Sequence, residues 1–303
     1  VRFAKTFLPV FILLIAWTGL NAEIVRVASF NVRNYNVCDH IIDGIWTPKY
    51  PKPEEEKTAL RTILRAVNPD VVVFQEMGPS EFLEELRHDL AKEGLDYPYS
   101  AHMVALDEDR CLCALSRIPF AGVTRHTDLT YSVSKIKHGV KRGLLALSFS
   151  TQGRAWTLYD AHLKSRYGSD KDPVGNRKER EGEAMAIRNR IAKDANNGFW
   201  MLAGDMNDTP GTGTWRKLSR KYGKPLGVDL RPLDSNGEPW TYNFASRDIY
   251  ERIDMLLCST ALSNFIVEGS AHIYDGPGAN EASDHRLVYM ELNFPDVPEA
   301  EKE

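Results

Sequence analysis

Apolar residues along the chain fall in short runs whose spacing switches between the two-residue period of strands and the 3.6-residue period of helices. Ile24–Phe30 (IVRVASF) alternates apolar and polar positions, as a half-buried strand does. Glu54–Val67 carries Ala59, Leu60, Ile63, Leu64 and Val67 at helical spacing, and Asn68-Pro69-Asp70 stops it. Val71–Phe74 then reads as a short buried strand. Ser80 is placed to cap a helix with Phe82, Leu83, Leu86 and Leu90 on one side and Gly94 closing it. Further strands are expected at Leu112–Leu115, Gly122–Arg125, Gly143–Phe149, Ala155–Tyr159, Trp200–Ala203, Ile253–Leu257 and Leu287–Leu292. Glu179–Ala195 reads as a long helix buried through Ala184, Ile187, Ile191 and Ala195, and Thr214–Tyr222 as a short one. The polar, basic stretch Ser165–Arg177 reads as a long loop. The strand runs between Cys111 and Tyr159 have no helix between them, so antiparallel pairing is expected there. Many strands with about four helices and no Pro-, Gly- or Ser-rich linker fit one layered α+β domain with mixed sheets.

The start of the chain breaks this pattern. Arg2 and Lys5 precede an apolar run, Phe7 to Trp17, and small residues end it at Ala22. A basic start, a short apolar run and a small-residue boundary are the form of a secretory signal peptide, too short for a membrane span. The expectation is therefore a leader at 1–22, a single domain at 23–303, no membrane span after cleavage, and a secreted or periplasmic location. The acidic tail after Pro295 is expected to fray. With 43% hydrophobic and 26% charged residues the chain is neither disordered nor collagen-like. Its net charge of −4 argues against a non-specific nucleic-acid coat but allows a local basic patch. Export would permit disulfides among Cys38, Cys111, Cys113 and Cys258, with three pairings open and buried free thiols as the alternative. Cys111 and Cys113 would share one strand face, an awkward geometry for bonding to each other.

Polar residues collect where these strands end: Asn31, Glu76, His162, Asp205 with Asn207, Asp254, and the pair Asp284-His285. Any one alone is an ordinary turn or structural residue, but the recurrence from strand to strand exceeds what solvated edges need. The segments SFNVRNYN (29–36), PDVVVFQE (69–76), LSRIPF (115–120), KRGLLAL (141–147), YDAHLKSR (159–166), LAGDMND (202–208), RIDMLL (252–257) and SDH (283–285) stand in an order that resembles the endonuclease/exonuclease/phosphatase superfamily. That group includes deoxyribonuclease I, exonuclease III-type repair nucleases, inositol polyphosphate 5-phosphatases and neutral sphingomyelinases, and this chain looks like a bacterial exported member. The resemblance runs from about residue 24 to 294. It implies a four-layer α/β/β/α sandwich of two mixed β-sheets flanked by helices. It also implies Mg²⁺-dependent hydrolysis of a phosphodiester or phosphomonoester, with Mn²⁺ as a substitute. A nucleic acid is the leading substrate, and a monomer without a protein partner is expected.

The chemistry asks for these residue types. A phosphoester anion repels hydroxide, and Mg²⁺ neutralises that charge using hard oxygen ligands and water. Glu76 is the first candidate ligand. The resemblance places Asn31 beside it and makes Asp284 a second carboxylate near the metal. The attacking water needs an acceptor, and two remain open: an Asp254–His285 couple, in which Asp254 fixes the tautomer, or Asp205. His162 and Asn207 fit as donors to the phosphoryl oxygens, and Arg142 and Lys164 as partners of phosphate charge. Two positions depart from the family pattern. Arg33 stands where exonuclease III-type members carry Asp, and Asp160 stands where Asn is frequent, as an extra carboxylate or simply an exposed strand-end acid. The basic residues from Lys164 to Lys193, with Lys135, Lys137, Lys141 and Arg142, would line a polyanion groove or form a solvated face. Tyr167 and Trp215 are aromatics that would stack on bases or simply pack. A sphingomyelinase-like or small-molecule phosphodiesterase is the alternative enzyme, and it would expose an apolar hairpin, for which Ile41–Trp46 is the one segment. A non-catalytic binding module would have lost Glu76, His162, Asp205, Asn207 or His285, and all five are present.

Overall fold

The computed structural model describes residues 22–42, 44–166, 171–195 and 198–296. Residues 1–21 of the expected leader, Tyr167 and the tail from 297 lie outside the described residues. Two six-stranded sheets form the centre. One runs His272–Ile273, Val288–Phe294, Glu23–Tyr35, Val71–Met77, Cys111–Ser116, Tyr99–Met103. The other runs Val228–Asp229, Asp254–Cys258, Phe199–Asp205, Arg154–His162, Leu144–Thr151, Gly122–His126. Each is mixed, with a central parallel pair: Glu23–Tyr35 beside Val71–Met77, and Arg154–His162 beside Phe199–Asp205. The consecutive strands from Gly122 to His162 pair antiparallel, while Cys111–Ser116 belongs to the opposite sheet.

Strand alternation builds the layers. Val25, Val27, Val71 and Val73 point to one side, where they meet Leu145, Leu147, Trp156, Leu158, Met201 and Leu256 of the second sheet. Trp156 stacks between Phe149 and Phe294 and donates its indole N–H to Thr151 Oγ1 at 3.0 Å. The intervening residues Ala28, Phe30, Val72 and Phe74 face helices α1 (Glu54–Val67) and α2 (Ser80–Lys92) through Leu60, Ile63, Leu64, Leu83 and Leu86. On the far side Tyr159, Ala161, Leu202 and Leu257 meet α3 (Pro173–Asp194) and α4 (Gly213–Ser219) through Ala184, Ile187, Trp215 and Leu218. The result is the expected α+β sandwich of four layers, helix, sheet, sheet, helix. A short α5 (Thr260–Ser263) follows the Asp254 strand. Among the described residues no helix is long and apolar enough to cross a membrane.

Several boundaries differ from expectation. The first strand runs on to Tyr35. Ser80 does not cap α2; Pro79 holds that position without a side-chain bond. α3 begins within the expected loop, because Asp172 accepts from the Gly175 N–H at 2.9 Å and Pro173 suits the first helical turn. α4 ends at Ser219, short of Tyr222. All four cysteines are free thiols, and Cys111 and Cys113 share the face packed on α1 and α2. Three hairpins leave no mark in the hydrophobic spacing: Thr130–Val133 with Ile136–Gly139, Arg220–Lys221 with Lys224–Pro225, and Tyr242–Phe244 with Ile249–Glu251; the candidate at Ile41–Trp46 falls in a fourth, Val37–Ile42 with Ile45–Pro51.

Candidate active site

The same strand faces that make the inter-sheet core turn polar toward one end. After Val25 and Val27 come Ser29 and Asn31; after Val71 and Val73 comes Gln75; after Trp156 and Leu158 come Asp160 and His162; after Met201 and Ala203 comes Asp205. The parallel pairs in both sheets point their C-terminal ends the same way, so Asn31, His162 and Asp205 converge. Glu76 has the wrong parity for this face. The ladder slips between Phe74 and Met77, and Glu76 takes φ +63°, so a bulge turns its carboxylate to the site. Gly204 allows the strands to close behind Asp205: a Cβ there would lie 2.0 Å from the Ala161 carbonyl oxygen.

Asp205 is the hub. Its Oδ1 accepts the Asn207 N–H at 2.8 Å; its Oδ2 accepts Asn31 Nδ2 at 3.0 Å and Asn207 Nδ2 at 3.1 Å. His162 Nε2 lies 3.4 Å and His285 Nε2 3.7 Å from that same oxygen. His285 Nδ1 is 2.9 Å from Asp254 Oδ2, the expected couple, with both residues buried. Ser283 holds the last segment in place by donating to Asn31 O at 2.8 Å and accepting from the His285 N–H. Burial raises the Asp205 pKa to about 7, against the lowering pull of His285. Burial pulls His285 the other way, but Asp254 and Asp205 overcome it and hold the imidazole in its protonated form. Burial, with Arg142 nearby, keeps His162 neutral, and neither of its ring nitrogens has a hydrogen-bond partner.

Opposite this hub, Glu76 Oε2 accepts the Asn34 N–H at 3.1 Å, and its Oε1 lies 3.8 Å from His162. Asp284 faces Arg33 at 3.9 Å. A cleft of about 400 Å³ joins them, lined also by Arg110, Lys141, Arg142, Lys164 and Tyr242. Glu183 of α3 fixes two of its walls, accepting the Lys141 and Lys164 N–H groups at 3.1 and 2.6 Å. The cleft offers the hard oxygens a divalent cation requires: the Glu76 and Asp284 carboxylates, with the Asn31 carbonyl behind them. Asp205, Asp254 and His285 also lie close enough together to hold one. However, His285 Nδ1 is engaged by Asp254 at 2.9 Å and the imidazole is held in its protonated form, which cannot ligate an ion, and this favours the Glu76 side.

Five readings of the sequence gain detail here. Asn207 spends both amide hydrogens inside the protein, on Leu163 O and Asp205 Oδ2, so it orients Asp205 rather than presenting a free donor. Arg142 is held by Asp107 at 2.9 Å, which tempers its phosphate role, and Lys164 lies 3.6 Å from Glu179. Asp160 is fully buried between the sheets, not an exposed acid. Four arginines of the basic run are paired: Arg166 with Glu251, Arg177 with Glu181, Arg180 with Asp208, Arg190 with Asp194. Trp215 is buried under Arg252, so it packs. Arg110, Tyr242 and Glu183 escaped the sequence reading, since neither periodicity nor a motif marks them.

Residues 28–285 match the model of the Endonuclease/Exonuclease/phosphatase family. Among curated proteins nothing matches. Solved structures with the same fold include an endonuclease/exonuclease/phosphatase from Bacteroides vulgatus, 15% identical, covering 90% of this chain and 99% of that one at TM-score 0.62. The human nocturnin catalytic domain with bound sulfate is 15% identical over 91% and 97% at 0.60. Danio rerio TDP2 complexed with a single-strand DNA product is 17% identical over 89% and 99% at 0.60.

Proposed function

The chain belongs to the endonuclease/exonuclease/phosphatase family, a family of phosphoester hydrolases, and we propose that it is a Mg²⁺-dependent phosphodiesterase acting on nucleic acid. One observation carries this reading: Asp205, gripped by Asn31 and Asn207, faces two imidazoles and stands across a cationic cleft from Glu76. Glu76 and Asp284, with Asn31, would hold the cation, which supplies charge neutralisation at the phosphorus and a more acidic water. Asp205 is the acceptor that orients the attacking water and takes its proton. Protonated His285, fixed by Asp254, and neutral His162 donate to the phosphoryl oxygens as negative charge builds there. Arg33, Arg110, Lys141 and Lys164 meet the charge of the flanking chain. The single-strand DNA product carried by the TDP2 relative agrees with a nucleic-acid substrate. The leader-like segment 1–22 supports action outside the cytoplasm, which cell fractionation tests.

The hairpin Val37–Ile42/Ile45–Pro51 favours a second reading. Ile45 is 69% and Trp46 64% exposed at its tip, an apolar point suited to a lipid surface. A substrate panel separates the two: labelled single- and double-stranded oligonucleotides, and a phosphodiester lipid in vesicles, each in Mg²⁺ and in EDTA. Metal-dependent cleavage of the oligonucleotides supports the nuclease reading, and turnover of the vesicle substrate alone refutes it.

A further inference from the structure

Beneath the site lies a polar layer with no part in the chemistry above. Gln75 Nε2 donates to Asp160 Oδ1 at 2.7 Å and to Ser29 Oγ at 3.1 Å. The three residues sit one or two positions before Glu76, His162 and Asn31 on the strands that carry them. Gln75 and Ser29 belong to one sheet and Asp160 to the other, so the contact ties the sheets together directly behind the site. All three are buried, and among the described residues no ion pair reaches Asp160. Two acceptors in this layer lack any donor: Asp160 Oδ2 and Gln75 Oε1. They belong to the two groups already joined through Oδ1 and Nε2.

We propose that Asp160 is held as the uncharged acid, paired reciprocally with the Gln75 amide, and that this pair is a positioning element setting Glu76 against His162 across the two sheets. One proton on Asp160 Oδ2, donated to Gln75 Oε1, satisfies both orphaned atoms at once. A buried carboxylate without a cation would instead be left strongly penalised. Burial drives the carboxyl toward its protonated form, against the milder pull of the Gln75 and Ala161 N–H groups. The titratable group that senses Asp160 is the Cys113 thiol, which burial also keeps uncharged. The effect on turnover rests on the hydrolase reading, whereas the proton itself does not.

The test compares wild type, Asp160→Asn and Asp160→Leu of the full chain. Asparagine reproduces both bonds, with Oδ1 accepting from Gln75 Nε2 and Nδ2 donating to Gln75 Oε1. Asp160→Asn is expected to keep kcat on an oligonucleotide within about twofold, with an unshifted His162 ring resonance and, at neutral pH, a melting midpoint at or above that of wild type. Asp160→Leu is expected to shift that resonance and lower kcat by about tenfold to a hundredfold with KM little changed. The infrared difference spectrum of wild type against Asp160→Asn should show the loss of one protonated-carboxyl band at neutral pH, a readout that stands even if the leucine variant does not fold. The proposal is overturned if that band is absent. It is equally overturned if folded Asp160→Asn matches Asp160→Leu, or if folded Asp160→Leu matches wild type in resonance and rate. A wild type that cleaves no phosphoester would sink the hydrolase reading alone, since the infrared band and the ring resonance still decide the pair.

Discussion

Replacing Asp254 by Asn keeps the shape of the side chain and removes the charge that holds His285. Asp254 Oδ2 lies 2.9 Å from His285 Nδ1, and both residues are buried, so water cannot replace the lost interaction. A hydrogen bond to a charged group contributes about 1.5–3 kcal/mol. If that stabilisation acts on the transition state, where His285 must remain a cation facing the phosphoryl oxygens, kcat falls by about tenfold to 150-fold. The effect should sit in kcat, because His285 is fixed within the protein and binding charge comes from Arg33, Arg110, Lys141 and Lys164. Steady-state hydrolysis of an oligonucleotide in saturating Mg²⁺ measures both constants, and a thermal melt separates catalytic loss from unfolding. A folded Asp254→Asn with kcat within twofold of wild type would refute the role of the couple. A rise in KM at constant kcat would move Asp254 from orienting the imidazole to binding substrate.

Glu76→Gln should lower kcat by about a hundredfold or more and abolish the rise in melting temperature that Mg²⁺ gives wild type, read by differential scanning fluorimetry with and without EDTA. Stability should depend on pH through Asp160. Its folded pKa lies well above its ordinary 3.8, so the folded state keeps a proton the unfolded chain has released. That contribution is complete below about pH 4 and declines as pH rises through the folded value, by about 1.4 kcal/mol per unit. Urea unfolding at two pH values above 4 should therefore show Asp160→Asn gaining on wild type as pH rises, and parallel curves would contradict it. Trp46→Ala, at a position 64% exposed, should change stability by less than about 0.5 kcal/mol and leave oligonucleotide cleavage unaltered. A selective loss of vesicle turnover in that variant would favour the lipid reading.

What could be read in the sequence was what repeats with a period. The alternation of Ile24–Phe30 marks a strand and the polar residues ending such strands mark a site, but that alternation reads as half-buried, whereas Val25 and Val27 pack on the second sheet and Ala28 and Phe30 on the helices. Asn31, His162 and Asp205 meet because parity and parallel pairing carry them to one place. Glu76 could be named as a ligand from its place at a strand end and the chemistry a cation needs, but period alone puts it on the helix side, and the bulge that redirects it leaves no pattern of its own. The cationic run after Lys164 could be read as a groove lining or a solvated face for a related reason. Four of its arginines pair with Glu181, Asp194, Asp208 and Glu251, and Asp208 and Glu251 lie on other elements that only the fold brings near. Arg110 and Tyr242 reach the cleft from loops and a short hairpin, whose paths hydrophobic spacing does not encode. The buried state of Asp160 was hidden too, because an acid at a strand end is normally wet, and only the facing sheet closes it off.

On this reading the Asp205–His285 hub and Glu76 together hydrolyse a nucleic-acid phosphodiester with the help of a metal. Incubating the protein with supercoiled plasmid in Mg²⁺, in EDTA, and as His285→Ala in Mg²⁺ tests it in one gel. Relaxed and linear plasmid with wild type and Mg²⁺ alone is the expected result. Intact plasmid in every lane, or equal nicking by the folded His285→Ala variant, would contradict the account.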